Sequence, residues 1–493
     1  IKSSAASDVY KRQDIDEVIL MRKTKIICTL GPACDDEEIL KKMMQNGLDC
    51  ARLNFSHGTH EEQKVRMDRV KKLRNELNIP LPILLDTKGP EIRVRLFKDG
   101  KVSLKAGQEF TFSSDYDLIG DETQVGLTYP DLAVYVNQPG TIILADDGKA
   151  SFEVLRTEGK NVICKVLNDT SLSNRKSINI PNVIVDMPYI SKADREDIIF
   201  GIQECVDYIA ASFVRRPEDV LEVRKLLDEY DTSGKIRIIS KIENTEGIEK
   251  MDDIIAVSDG IMVARGDMGV EVPFKMLPKI QKELISKCYH QGKIVVTATQ
   301  MLDSMQQNPR PTRAEVSDVA NAIYDRTTAI MLSGESAAGK YPLESVTTMM
   351  DIANYTEENI NFKKRFIENN LNLGEDFLSV ICNAAVNAAY QVDAKAIICV
   401  TNHGQTAFKL SAYRPDCPVI AITVNEKACR QLNLAWNVFP VYAEKKENTD
   451  ELFLYAIDTA LKTGIVKKGD KVVITGASSV GNAVTDTIKI HIL

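Results

Sequence analysis

Short apolar runs of four or five residues recur along the chain, each bounded by polar or glycine-bearing turns, with amphipathic stretches between them. That is the pattern of βα units feeding a parallel sheet buried on both faces. From Met21 onward it predicts strands over 26–30, 50–53, 83–86, 208–211, 236–240, 260–263, 294–297 and 329–332. A helix is expected between the first two, from Asp35 to Asn46, its acidic opening suited to the helix dipole. Eight such units are the count of a (β/α)8 TIM barrel, whose active site lies at the C-terminal ends of its strands.

The third and fourth predicted strands stand too far apart for one helix. From Gly89 to Met187 apolar and polar residues alternate between Gly and Asp turns, as in Gly140-Thr-Ile-Ile-Leu-Ala-Asp-Asp-Gly148. This predicts an inserted all-β barrel domain over 89–187, a lid able to exclude water from the strand ends. The catalytic barrel then comprises 21–88 and 188–365. A C-terminal α/β domain, 366–493, is expected to carry strands over 396–400, 419–423 and 471–475. Residues 1–20 have no apolar signal core, and Asp8-Val-Tyr-Lys-Arg-Gln13 resembles a translated sequencing adapter. They are expected to be a non-native or disordered leader.

Composition narrows the function classes. The chain has 493 residues, 44% hydrophobic and 27% charged, which excludes wholesale disorder. Its 62 Lys and Arg against 70 Asp and Glu leave a formal net charge of −8, no attraction for nucleic acid or an anionic membrane. No apolar run approaches the roughly 18 residues of a membrane span. Ten scattered cysteines fit reduced, buried thiols in a cytoplasmic protein. With five histidines and no CxxC, no structural zinc pattern is present.

Polar residues crowd the predicted strand ends. In Arg52-Leu-Asn54-Phe-Ser56, alternation puts Arg52, Asn54 and Ser56 on one face. Arg52 offers a fork for phosphate; Asn54 and Ser56 offer oxygens for a hard cation. Ser56 and His57 make a poor nucleophile–base pair, because strand neighbours point oppositely and no third member follows. The third strand runs on through Asp86, Thr87, Glu91 and Arg93. Lys241 and Glu243 share a face of the fifth strand, and Arg265-Gly266-Asp267 ends the sixth, one βα unit later. Glu243 and Asp267 on adjacent strand ends suit one Mg²⁺ together with substrate oxygens. Lys241 beside them places positive charge on a transferring phosphoryl group. A plain ion pair explains the Lys-x-Glu alone equally well; the shared rim location, with Thr299 after the seventh strand, favours chemistry. Gly334 to Lys340 nearly matches a P-loop, but Tyr341 replaces the required Ser/Thr and Pro342 follows. A turn opening the last barrel helix is expected there.

Taken in order, RLNFSHG, LDTKGPEIR, IISKIENTEGI, MVARGDMGVE, TATQMLDSM, PRPTRAEVSDVANA and IMLSGESAAGKYP resemble the pyruvate kinase family, from Met21 to Leu493. The resemblance implies the same three domains and the last step of glycolysis, in which phosphoenolpyruvate phosphorylates ADP to give pyruvate and ATP. It implies a cytoplasmic homotetramer. Arg52 would hold the substrate phosphate, Lys241 the phosphoryl group in flight, and Gly266, Asp267 and Thr299 the substrate. Glu243 and Asp267 would take Mg²⁺ or Mn²⁺, and Asn54, Ser56, Asp86 and Thr87 would take K⁺. Arg93 and Lys176 would meet the nucleotide phosphates, and Glu91 accompanies potassium dependence in the family.

The loop Thr401-Asn-His403-Gly404-Gln-Thr406 resembles a site for a sugar-phosphate or nucleotide effector, with His403 unusual in it. Other departures are Ser177 for Gly, Arg326 and Thr328 for Gly and Asp, and Asp486 for Asn in the second effector-side segment, 475–487. A metal-dependent lyase for pyruvate-like acids is a second reading, and an effector-binding relative without catalysis a third. Arg93 and Lys176 argue against the former, the complete site set against the latter.

Overall fold

The computed structural model describes residues 22–231, 235–369, 371–444, 449–477 and 485–493. The expected leader lies outside the described residues, as does the middle of the 475–487 segment. Eight parallel strands close into a barrel: β1 (Lys25–Thr29), β2 (Cys50–Asn54), β3 (Ile83–Asp86), β4 (Tyr208–Ala211), β5 (Arg237–Ile242), β6 (Gly260–Ala264), β7 (Ile294–Ala298) and β8 (Ala329–Leu332). Each lies within two residues of its expected bounds. The ring closes through β1, which pairs with β2 (Ile27 opposite Cys50) and with β8 (Lys25 opposite Ala329).

Strand alternation sorts the apolar residues into two cores. Ile27, Cys50, Leu84, Ile239, Met262 and Met331 fill the barrel interior, while Ile26, Cys28, Leu53, Leu85 and Ile238 pack outward under the helices. The first expected helix spans Glu37–Gln45, capped by Asp36, whose carboxylate accepts from the Glu38 and Ile39 N–H groups. Leu434 of the C-terminal domain joins the inner core, and the Tyr208 hydroxyl donates to the Gln431 carbonyl at 2.7 Å. That domain therefore plugs the bottom of the barrel and leaves the top open for chemistry.

The chain leaves β3 at Gly89, whose φ of +73° and a would-be Cβ only 2.7 Å from the Ser212 carbonyl together require glycine. It then builds a seven-stranded sheet and a two-stranded ribbon around Phe110, Phe112 and Phe152, whose rings lie 5.0–5.6 Å apart. The C-terminal domain is a five-stranded sheet. Besides Ala396–Val400, Val419–Thr423 and Lys471–Gly476 it has two edge strands that the pattern did not predict, Val438–Tyr442 and Thr487–Ile492. Pro440 interrupts the first, as edge strands tolerate, and the second leaves Lys489, Ile490 and Ile492 half-buried or exposed.

All ten cysteines are free thiols, buried except Cys205 and Cys417. Among the described residues no helix is long and apolar enough to cross a membrane. The near-P-loop folds as a short helix, Gly334–Ala337, ahead of the long helix Pro342–Glu358. Its Glu335 accepts from the Ser333 and Leu302 N–H groups, so the segment braces the loop after β7.

Candidate active site

The strand ends bring two cations and two carboxylates into direct contact. Arg52 on β2 donates through Nε to Asp86 Oδ2 (2.7 Å) and through Nη1 to Thr29 Oγ1 (2.7 Å). Lys241 on β5 reaches Asp86 Oδ1 at 3.1 Å and Glu243 Oε1 at 3.0 Å. All four side chains are buried: 1% of the Asp86 side chain, 10% of Lys241 and none of Glu243 reaches solvent. Burial alone would raise the Asp86 carboxyl, but the Arg52 and Lys241 charges overcome it and hold it low. Burial likewise opposes the Lys241 ammonium, and Asp86 and Glu243 more than compensate, keeping it firmly protonated. Glu243 is raised, chiefly by burial, with Asp267 adding to the push.

Glu243 is aimed for a further partner. Its Oε2 accepts from the Phe213 N–H at 2.7 Å, whereas Oε1 is buried without a hydrogen bond, its contact with Lys241 being out of line. Asp267 sits in the first turn of the helix Arg265–Glu271, and its charge acts on both Glu243 and Lys241. Among the described residues no group of three or more His, Cys, Asp or Glu side chains forms a self-sufficient metal cage. Two carboxylates with an unspent oxygen fit a hard divalent cation that completes its shell with ligand and water oxygens.

Thr299 and Gly266 face each other across the ends of β7 and β6. The Gly266 N–H donates to Thr299 Oγ1 (2.9 Å), and that hydroxyl donates to the Ala298 carbonyl (2.6 Å). Thr299 and Gln300 both hold left-handed backbones, φ +64° and +53°, which costs energy for residues bearing a Cβ. Arg265 clamps the bend: its Nε donates to the Ala298 and Thr299 carbonyls (3.0 and 3.2 Å), and its Nη1 to Asp318 Oδ2 (2.6 Å).

The remaining predicted residues divide. Asn54 lies opposite Asp86 in the strand register, and its Oδ1 accepts from the Ser56 N–H at 3.0 Å. Thr87 and Asp86 are joined through Ser212, whose N–H donates to Thr87 Oγ1 (3.1 Å) and whose hydroxyl reaches Asp86 Oδ1 (3.1 Å). Ser212 also accepts from Lys241 at 2.8 Å. Sequence reasoning missed it, as it missed Thr29 at the end of β1; the signal was a serine at the end of β4. Arg93 folds onto Glu91 Oε2 through Nε (2.8 Å) and Nη2 (2.6 Å), and Asp267 lies close enough to act on Glu91. Lys176, next to Arg93 in the lid sheet, instead pairs with Asp146 at 2.8 Å. The lid rests on the barrel through Asn179, which donates to Glu271 Oε1 at 2.9 Å.

The effector-like loop follows the strand Ala396–Val400. Gly404, at φ +81°, starts the helix Gln405–Ala412, and its N–H donates to Thr401 Oγ1 at 3.1 Å. Thr406 meets Thr485 hydroxyl to hydroxyl at 2.7 Å, while His403 is exposed beside Lys427 and Arg430.

Known proteins share both halves of this architecture. The family described as "Pyruvate kinase, barrel domain" matches residues 21–346, and "Pyruvate kinase, alpha/beta domain" matches residues 379–491. A pyruvate kinase of Clostridium acetobutylicum is 48% identical over 474 residues, covering 96% of this chain and 100% of that protein. One from Bacillus licheniformis is 47% identical over 476 residues, covering 96% of this chain and 81% of that protein. The crystal structure of a pyruvate kinase from Cryptosporidium parvum superposes with a TM-score of 0.89 at 37% identity, covering 96% of each chain. With the family matched across barrel and C-terminal domain alike, and the basic–acidic cluster standing at the barrel mouth, this chain belongs to the pyruvate kinase family.

Proposed function

We propose that the barrel mouth transfers the phosphoryl group of phosphoenolpyruvate to ADP, giving pyruvate and ATP. The observation that supports this is the contact network of Arg52, Asp86, Lys241 and Glu243, a buried seat for an anionic group next to a carboxylate oxygen awaiting a cation. Phosphoryl transfer asks a protein for positioning and charge neutralisation rather than covalent chemistry. Arg52 binds the substrate phosphate, and Lys241 neutralises the group as its bond to the enol oxygen breaks and its bond to ADP forms. The Gly266 N–H and Thr299 hydroxyl orient the enolate by exchanging their present acceptors, Thr299 Oγ1 and the Ala298 carbonyl, for it, and the enolate gains a proton at carbon to become pyruvate.

Glu243 and Asp267 would hold Mg²⁺ or Mn²⁺, which would supply Lewis-acid polarisation of the substrate's oxygens. Asn54, Ser56, Asp86 and Thr87 would hold K⁺ through their oxygens. Arg93 and Lys176 meet the nucleotide phosphates, so each must exchange its present partner, Glu91 or Asp146, for ADP when the lid closes. The functional units are 21–88 with 188–365 as catalytic barrel, 89–187 as lid and 366–493 as regulatory domain, in a cytoplasmic homotetramer. The loop at Thr401, His403, Gly404 and Thr406 receives a phosphorylated effector. A pyruvate-formation assay with ADP tests the reading, with K⁺ and candidate sugar phosphates varied in turn. Pyruvate release that requires ADP and a divalent ion, and rises several-fold with K⁺, is expected; release independent of ADP overturns the reading.

A further inference from the structure

On the seam between barrel and C-terminal domain, away from the mouth, three arginines line one small cavity: Arg326, Arg365 and Arg414. Glu357 is the carboxylate among its lining residues, and both its oxygens are spent, accepting from the Lys23 and Thr24 N–H groups at 2.7 and 2.6 Å. Glu357 still carries its charge, which acts on Arg414, but three guanidinium groups against one carboxylate leave the cavity with an excess of positive charge.

Arg414 is the least satisfied of the three. It sits in a left-handed turn (φ +56°) after the helix Gln405–Ala412, its guanidinium 4.6 Å from the centre of the Trp436 ring. Nη2 donates to the Arg326 carbonyl (3.0 Å) and to Thr328 Oγ1 (3.1 Å). Nε and Nη1 are buried with no acceptor among the described residues. Leaving two donors of a buried cation unpaired is expensive. Burial pulls the Arg414 guanidinium down to about 9, which still leaves it cationic at neutral pH. Arg326 is held in place, its guanidinium 5.0 Å from the Tyr289 ring and its Nη2 donating to Asn369 Oδ1 at 3.3 Å. Arg365 is anchored through Nη1 to the Tyr324 carbonyl at 3.2 Å. The centre of a water-sized group can range over about 20 Å³ in this cavity, room for a compact ion and too little for a nucleotide or sugar phosphate.

We propose that this seam binds a compact monoanion, a halide or the carboxylate of a one-carbon acid, which accepts from Arg414 Nε and Nη1. Three cations against one carboxylate favour an anion over water. Arg414 belongs to the C-terminal domain and Arg326 to the barrel, so the anion ties the two domains together and stabilises their docking.

Trp436 is the chain's single tryptophan, so its fluorescence reads this cavity directly. The full-length protein is titrated with chloride, formate and iodide against gluconate, which is too bulky for the gap, at constant ionic strength. Saturable responses to chloride and formate are expected, with saturable iodide quenching that chloride competes away and a matching rise in Tm. The tighter of chloride and formate identifies the occupant class. Arg326→Gly, which keeps Arg414 and relieves a left-handed backbone at φ +77°, should weaken the midpoint by about threefold or more. Thr328→Asp puts a carboxylate where the threonine hydroxyl already accepts from Arg414 and from the Val295 N–H (3.2 Å), and should abolish the response with turnover retained. Linear, uncompeted quenching, or gluconate matching chloride, would mean that water alone fills the gap and overturns the proposal. So would a folded Thr328→Asp protein that responds like the parent. If that variant does not fold, chloride competition against iodide in the parent decides alone.

Discussion

The barrel mouth and the domain seam both bury arginine, and they treat it differently. At the mouth, Arg52 is met by Asp86 and Thr29, and Lys241 by Asp86, Glu243 and Ser212. The cations there are fixed before any ligand arrives, and the group left without a hydrogen bond is an acceptor, Glu243 Oε1, which meets Lys241 as an ion pair alone. At the seam the unspent groups are donors, on Arg414. A preorganised pair of cations suits a reacting phosphate, because nothing has to move when charge shifts in the transition state. An under-satisfied cation suits reversible occupancy, because its occupant supplies what the fold omits. Burial depth alone does not separate a catalytic site from a binding site; which sign is left unspent does.

Replacing the central cation breaks the contrast most sharply. Lys241→Met should lower turnover by about a thousandfold or more while Mg²⁺ still binds. Turnover within a few-fold of the parent in the pyruvate assay would remove Lys241 from the chemistry. Removing the unspent acceptor comes next: Glu243→Gln should weaken Mg²⁺ on the order of a hundredfold by calorimetry, with its fold intact by circular dichroism. Arg265→Met, which frees the Thr299 bend without touching substrate, should cost roughly tenfold to a hundredfold in kcat. Arg265→Lys should recover part of the loss, whereas a purely structural role would move Tm and leave kcat unchanged. The smallest effect is on metal affinity against pH. Burial, with the Asp267 charge adding to it, raises the Glu243 carboxyl from 4.5 to about 8, so a proton competes with the metal for it up to that range. Mg²⁺ affinity should therefore rise with pH across that interval, and a flat profile would assign the binding to other groups.

Much of this was legible from the chain because barrel strands are short apolar runs that end in the residues that matter. Arg52, Lys241 and Glu243 follow from strand alternation, and the spacing to Asp267 from one βα repeat. What was not legible depends on contacts distant in sequence. Ser212 looks like any small polar residue until Asp86, Thr87 and Lys241 gather around it. Arg265 gains its purpose only once the left-handed bend at Thr299 exists. Lys176, expected beside the phosphates, meets Asp146 in the turn after the lid strand Ile142–Ala145, a partner that no local pattern indicates. Arg414 is distinguished by the acceptor it lacks, which no string of letters can display.

The pairing of β1 with β8 sets a timetable for biosynthesis. Lys25 leaves the ribosome early but must wait for Ala329 before its open edge is covered. At about 5–20 residues per second that delay is roughly 15–60 s. The lid, whose strands pair among themselves between Ile92 and Asn179, can fold during that interval. Until the eighth stave arrives the first remains exposed to aggregation, so a slowed ribosome should reduce the soluble yield of this chain more than that of its isolated inserted module.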